Sequence, residues 1–372
     1  MTYVNPFLVD VEGKKPVKRN LFREAKAKGF LVTKDDGEPY LIPNTDFSAG
    51  LVNLFSDDAK RWMVNVIQDQ VLGVGASGWM ADFGESYPWE KADSDAAHRP
   101  IEGLYHNRYP VAWAEVNEAA CAQSGGDPAV FMRSGALGKT MLFWEGDQLV
   151  TWDEYDGMKS AVTGLLSSGL SGMVFNHSDI GGYTTITSPI KDYHRSKELL
   201  MRWMELNAFS VVFRTHEGND PDKNAQFYTD DETMGQFARC ANIYAAWFPY
   251  RKQLVQEGVE QGLPVVRHPW IHYWNDPEVL KIVYQQFMVG SEFMVAPVLD
   301  PGVTRVRVYL PKGRWHHVWS DKVYGGNESG QYLEMDAPMG FPAVFYREGS
   351  AAGEAFRAAL SGAGLLAGYP GQ

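Results

Sequence analysis

Cysteine is scarce in this sequence: 372 residues hold two, Cys121 and Cys240. They make neither a metal spacing nor a disulfide framework, so each reads as a small buried hydrophobe. Positive charge is also short. Lys and Arg total 34 against 46 Asp and Glu, a net charge of -12, and the basic residues are scattered. That excludes nucleic acid and anionic membrane surfaces as partners. No apolar run reaches the roughly 18 residues of a membrane-spanning helix. The opening Met1-Thr2-Tyr3-Val4-Asn5-Pro6-Phe7 reads as strand and loop, without the charged and apolar regions of a secretory leader. The nine histidines show no zinc-ligand pairing, so no metal is expected. Gly181-Gly182 is not followed by the Lys-Ser/Thr of a phosphate loop, and the dinucleotide glycine fingerprint is missing. Ser134 and Ser178 lack the Gly-x-Ser-x-Gly context of a serine hydrolase. No cofactor is implied.

What remains is an ordinary globular composition, 45% hydrophobic and 22% charged, long enough for one large domain and a small one. Aromatic residues reach 13%, with 12 Trp, 18 Tyr and 19 Phe. Part of that excess suits a large core, and part suits the stacking of rings on sugar faces.

Strand and helix patterns alternate along the chain. Tyr3–Leu8 reads as the end of a strand, and residues 21–41 as a polar loop or small excursion. Apolar spacing predicts a helix over Asp57–Leu72, capped by Ser56-Asp57. Gly78–Phe83 is a short buried strand. Further strands are expected at Val130–Arg133, Thr140–Trp144, Gly172–His177 and Leu263–Arg267. Helices are expected at Tyr109–Ala122, Glu154–Ser168, Ser196–Phe209, Thr233–Glu257 (with a break at Pro249) and Asp276–Val289. This rhythm means a parallel α/β sheet. Polar clusters at the strand ends favour a barrel over an open sheet. After about residue 290 the texture changes to short β-rich runs between glycine turns, such as Arg305–Leu310. The expected division is a barrel over 1–290, a small antiparallel β-sandwich over 291–350, and a tail over 351–372.

The chemistry sits in acids at strand ends. Asp82 lies in Met80-Ala81-Asp82-Phe83-Gly84-Glu85, Asp147 in Trp144-Glu145-Gly146-Asp147-Gln148, and Asp179 in His177-Ser178-Asp179-Ile180-Gly181-Gly182-Tyr183. An acid beside buried strand residues is costly unless it is paired or functional. Two carboxylates facing one pocket can hydrolyse a glycoside, one attacking the anomeric carbon and the other protonating the leaving oxygen. Arg133 and His216 can supply positive charge near a nucleophile, and Trp144 can shield an acid from water. Glu85 either caps a turn or accepts a substrate hydroxyl. For any single Asp, a loop cap or an ion pair remains the alternative.

These motifs resemble glycoside hydrolase family 31. The matching stretches are Trp79–Glu85, Phe131–Ser134, Phe143–Gln148, His177–Tyr183, Arg214–Glu217, Leu263–Trp270, Gln286–Val298 and Val308–Trp319. They run in the family's order. The resemblance implies a (β/α)8 TIM-type barrel followed by a C-terminal antiparallel β domain. It also implies a metal-independent retaining enzyme that cleaves α-linked sugars from the non-reducing end. Asp82 falls on the nucleophile and Asp147 on the general acid/base. Arg133, Asp179 and His216 fall where the family contacts sugar hydroxyls, and Trp144 and Tyr183 on its aromatic walls. The details look most like the sulfoquinovosidase branch, whose substrates are sulfoquinovosyl glycerol and sulfolipid. There Tyr183 would help to hold the sulfonate, beside an Arg and a Trp that lie upstream of Tyr3. The resemblance places barrel strands 3 to 8 in this chain, with the first two and an N-terminal β-sandwich ahead of it. Residues 186–194 look like a small insertion that reshapes the leaving-group side. An α-glucosidase or α-xylosidase on the same machinery is the alternative, and an inactive carbohydrate-binding fragment a further one.

Overall fold

A computed structural model describes residues 1–44, 47–88, 105–135, 141–326 and 328–370. The chain forms two compact units, Met1–Phe143 and Trp144–Gln372.

The first unit is built on parallel strands β1 (Thr2–Val4), β5 (Gly78–Ala81) and β6 (Ala129–Met132). Their register aligns Val4 with Ala81 and Ala81 with Met132, and Met132 pairs in parallel with Phe143 at the start of β7 (Phe143–Trp144). Of the strand expected over Thr140–Trp144, residue 140 lies outside the described residues. Two helices cover the strands. Helix α2 (Asp57–Ile67) starts where the Ser56 hydroxyl accepts from the Ala59 amide, as expected. Helix α3 (Tyr105–Gln123) buries Trp113 and Asn117, and Asn117 accepts a 2.7 Å bond from the Trp79 indole. Residues 21–41 hold more than a loop. Helix α1 (Leu21–Lys28) is capped by Asn20 and ended by Gly29 in the left-handed region. It packs beside an antiparallel sheet of β2 (Phe7–Leu8), β3 (Leu41–Pro43) and β4 (Ser48–Leu51). The charged exterior of α1 hid its short amphipathic pattern.

In the second unit, helix α4 (Met158–Leu170) precedes the short strand β8 (Asn176–His177), and α5 (Lys197–Asn207) follows it. The long helix expected over 233–257 is two, α6 (Asp231–Ala246) and α7 (Phe248–Gln261). They part at Trp247, with Pro249 in the first turn of the second. Trp203, Phe209, Trp247 and Phe287 close one large core. The insertion at 186–194 folds as a hairpin of β9 (Ile186–Thr187) and β10 (Asp192–Tyr193), with Ile190 exposed between them.

An antiparallel sheet closes the second unit. It runs β11 (Val266–Arg267), β12 (Phe287–Val289), β13 (Phe293–Ala296), β18 (Ala343–Arg347), β15 (Gly313–His317), β16 (Val323–Gly326). A ribbon of β14 (Arg305–Leu310) and β17 (Gln331–Asp336) accompanies it. The helix expected over Asp276–Val289 is replaced by a 3-10 turn at Val279–Lys281 and then β12. The run Phe287-Met288-Val289 is fully buried on both faces, and periodicity alone cannot tell a buried strand from a buried helix. Helix α8 (Ala351–Gly362) ends the described chain, seated on Phe356 and Leu360; of the expected tail, residues 371–372 lie outside the described residues. Among the described residues, no helix is long and apolar enough to cross a membrane.

Candidate active site

In the first unit the site grows from the carboxyl end of β5. The Asp82 amide still donates to the Val4 carbonyl, at 2.9 Å, so the ladder fixes the backbone where the acid begins. The chain then turns sharply. Phe83 takes a φ of 59° and Gly84 a φ of 110°. A left-handed phenylalanine is uncommon and costs roughly 1 kcal/mol or more. The Phe83 ring meets Phe7 edge-on at 5.1 Å, and the Arg133 guanidinium lies 4.1 Å from its centre. A side chain on Gly84 would run into the Ser134 hydroxyl and Trp113. Ser134 in turn donates to the Phe83 carbonyl at 2.6 Å.

This turn puts three donors around one carboxylate. Asp82 is 6% exposed. Its Oδ1 accepts from the Phe83 amide at 2.8 Å and pairs with Arg133 Nε at 3.2 Å. Its Oδ2 accepts from the Tyr3 hydroxyl at 2.5 Å. Tyr3 is itself half exposed and accepts from Asn5 at 3.1 Å. Burial and the hydrogen bond to Asp82 push the Tyr3 phenol well above its ordinary range, so it stays a donor. Arg133 also donates to Glu85 Oε1 at 2.5 Å. The structure thus brings Asp82, Glu85 and Arg133 together. Tyr3 was missed by the sequence reading; its only signal was its place at the end of a strand.

In the second unit Trp144, Asp147, Asp179, Tyr183 and His216 lie on three loops stitched together by backbone bonds. The amides of Tyr183 and Thr184 donate to the Gln148 carbonyl, each at 2.9 Å, and the Thr184 hydroxyl donates to the Asp147 carbonyl at 2.9 Å. The Ile180 amide donates to the Arg214 carbonyl at 2.9 Å. Asp147 itself is exposed, on a turn that Gly146 permits with a φ of 81°.

Asp179 is fully buried. Burial pushes its carboxyl upward, opposed by Arg214 and by hydrogen bonding from Trp144, and the charge of Asp147 adds to the rise. Arg214 pairs with it at 3.1 Å and lies 5.5 Å from the Trp144 ring. His216 does not supply the positive charge expected of it. Burial first, then Arg214 and Arg195, lower its imidazole to about 4. Its Nδ1 accepts from the Gly218 amide at 3.0 Å, so the neutral ring carries its proton on Nε2. The charge comes from Arg214, which the sequence reading had placed only in the motif. The His216 and Tyr183 rings meet edge to face at 4.8 Å.

Two residues before Asp147 the chain carries a half-buried acid, Glu145. The Glu145 carboxylate lies against Gly164, where any side chain would overlap it, and accepts from the Ser168 hydroxyl at 2.9 Å. Burial raises it to about 8. The Trp144 ring lies 5.5 Å from the Arg214 guanidinium and its indole hydrogen-bonds toward Asp179. The first unit thus offers a buried carboxylate, Asp82, held by three donors. The second unit offers an exposed acid, Asp147, on a loop bonded to the one carrying Asp179 and Tyr183.

Residues 1–256 match the sequence profile described as "Glycosyl hydrolases family 31 TIM-barrel domain", and residues 262–351 that of the "Glycosyl hydrolase family 31 C-terminal domain". A sulfoquinovosidase of Agrobacterium fabrum is 40% identical over 94% of this chain and 51% of its own length. One from Escherichia coli K12 is 36% identical over 94% and 50%. The solved structure of a family 31 sulfoquinovosidase from E. rectale, in complex with an aza-sugar inhibitor, superposes with a TM-score of 0.87. It is 37% identical, over 97% of this chain and 52% of that one. The chain spans about half the length of the relatives it matches.

Proposed function

This chain belongs to glycoside hydrolase family 31, and we propose that the protein it represents is a retaining α-glycosidase acting on a sulfonated sugar. The observation that carries this reading is Asp82, held between the Tyr3 hydroxyl, the Phe83 amide and Arg133 at the end of a parallel strand. Donors on both oxygens aim the carboxylate, as a nucleophile must be aimed.

In the first step an Asp82 oxygen bonds to the anomeric carbon as the glycosidic C–O bond breaks, and Asp147 gives its proton to the leaving oxygen. In the second, Asp147 takes a proton from water, whose oxygen attacks the anomeric carbon and releases Asp82 as carboxylate. Exposure of Asp147 suits this shuttle, since it must meet both the leaving group and water. Asp179 with Arg214, the Nε2–H of His216, Arg133 and Glu85 supply hydroxyl contacts, and Trp144 and Tyr183 the walls. The relatives named sulfoquinovosidase support a sulfonated sugar in the donor site. Sulfoquinovosyl glycerol or sulfolipid is then the substrate.

The test is turnover of 4-nitrophenyl α-sulfoquinovoside and the matching α-glucoside by the full-length protein. Release from the sulfonated substrate alone is expected. Release from the glucoside alone refutes the substrate and leaves the carboxylate roles intact.

A further inference from the structure

Arg195 is 1% exposed, and among the described residues no carboxylate lies within ion-pair distance of it. Its guanidinium spends its donors on carbonyl oxygens instead. Nη1 donates to His216 at 2.8 Å and Gly182 at 3.2 Å, and Nη2 to Glu217 at 3.3 Å. Nε donates to Ala225 at 2.8 Å, and Nη2 also reaches the Gln226 side chain at 2.9 Å. Gly181 lacks a side chain where one would strike Arg195 Cδ. One side chain therefore ties the loop ending in Tyr183 to the loop carrying His216, whose rings meet.

A buried cation held by carbonyl dipoles alone projects its charge further than one cancelled by a carboxylate. Around it His216 is neutral, and Arg214 is matched by Asp179. The exposed Glu217 turns its carboxylate to the Tyr228 hydroxyl. Asp147 must be protonated to act as an acid. Asp179 also attracts Arg195 through space, and solvent screens the exposed Glu217, so Arg195 is the buried cation on this side with no carboxylate paired to it.

We propose that Arg195 is a positioning residue that sets donor-sugar selectivity, its planar fork fixing Tyr183 and His216 and its unmatched charge favouring an anionic sugar. This rests on the reading of the site as a glycosidase. The substitutions are Arg195→Gln, which removes the charge, and Arg195→Lys, which keeps the charge and loses the fork. kcat/KM is measured for the α-sulfoquinovoside and the α-glucoside with the full-length protein, and thermal melting confirms folding. Arg195→Gln should lower the sulfonated-to-neutral ratio by roughly tenfold or more. Arg195→Lys should slow both substrates while holding the ratio within about threefold. A merely structural arginine would depress both sugars equally in both variants, and that result overturns the proposal. So does a collapsed ratio in a folded Arg195→Lys protein, which decides the matter if Arg195→Gln does not fold. A wild-type protein that ignores the sulfonated substrate removes the underlying reading, and this inference with it.

Discussion

Replacing Tyr3 by Phe removes one hydrogen bond from Asp82 Oδ2 and leaves the ring in place. The consequence depends on the step. On the proposed mechanism Asp82 attacks in glycosylation, and a donor on its oxygen both aims it and tempers it, so the two effects largely offset. In deglycosylation Asp82 is the leaving group, and the same donor stabilises the departing carboxylate. A hydrogen bond to a charged group contributes about 1.5–3 kcal/mol. Tyr3 is half exposed, and water can partly replace it, which favours the lower figure. At about 1.4 kcal/mol per factor of ten, deglycosylation should slow roughly tenfold. With an aryl glycoside whose first step is fast, kcat should fall about tenfold, KM should fall with it, and kcat/KM should change little. Intact-protein mass spectrometry should then show the glycosyl-enzyme accumulating. A fall in kcat at unchanged KM with no covalent species, or unchanged kinetics, refutes this use of Tyr3.

Asp82→Asn should nearly abolish turnover of every glycoside. Asp147→Asn should lose far more on a poor leaving group than on an activated aryl one, because a good leaving group needs little protonation; equal losses on both would remove the acid assignment. Tyr183→Phe should weaken kcat/KM for a sulfonated substrate more than for a neutral one, and parallel losses would argue against a sulfonate contact. Burial pushes the Glu145 carboxyl from an ordinary value of 4.5 up to about 8. The folded state therefore holds a proton that the unfolded state has released between those values. Its stabilising contribution is full below about 4.5 and lost as pH rises through about 8. Thermal melts from pH 5 to 9 should show Glu145→Gln flattening this decline, and a slope equal to that of wild type would mean the acid is ionised in the fold. Gly181→Ala, at a φ of 88° and against Arg195, should lower the melting temperature; an unchanged melt would show that the Arg195 network can shift at no cost.

Much of the fold was legible because its signals are local. Ser56 caps α2, glycines follow α1 and α7, and strand–helix alternation announces parallel pairing. Failures came where one pattern has two physical solutions. Phe287–Val289 is apolar without a period, and the pairing of Phe287 with Val295 makes it a strand. No feature of residues 276–289 alone reports that partner. The reverse error fell on Leu21–Lys28, where one buried residue, Ala25, anchors the helix and the rest is polar or only half buried.

The site divides the same way. The candidate acids stood out because each follows a strand in a short motif, as Asp82, Asp147 and Asp179 do. The groups that set their chemistry could not. Tyr3 lies 79 residues from Asp82, and Arg195 lies 21 from His216. Neither distance leaves a mark on sequence pattern, and a tyrosine or arginine reads alike whether it packs, pairs or positions. His216 shows the cost most clearly. Its motif suggested a cation, yet Arg214 two residues before it and Arg195 behind it, together with burial, make protonation unfavourable. A histidine between two guanidinium groups is pressed to stay neutral. It can then donate from Nε2 to a sugar hydroxyl without adding charge, which leaves the arginines to supply the field.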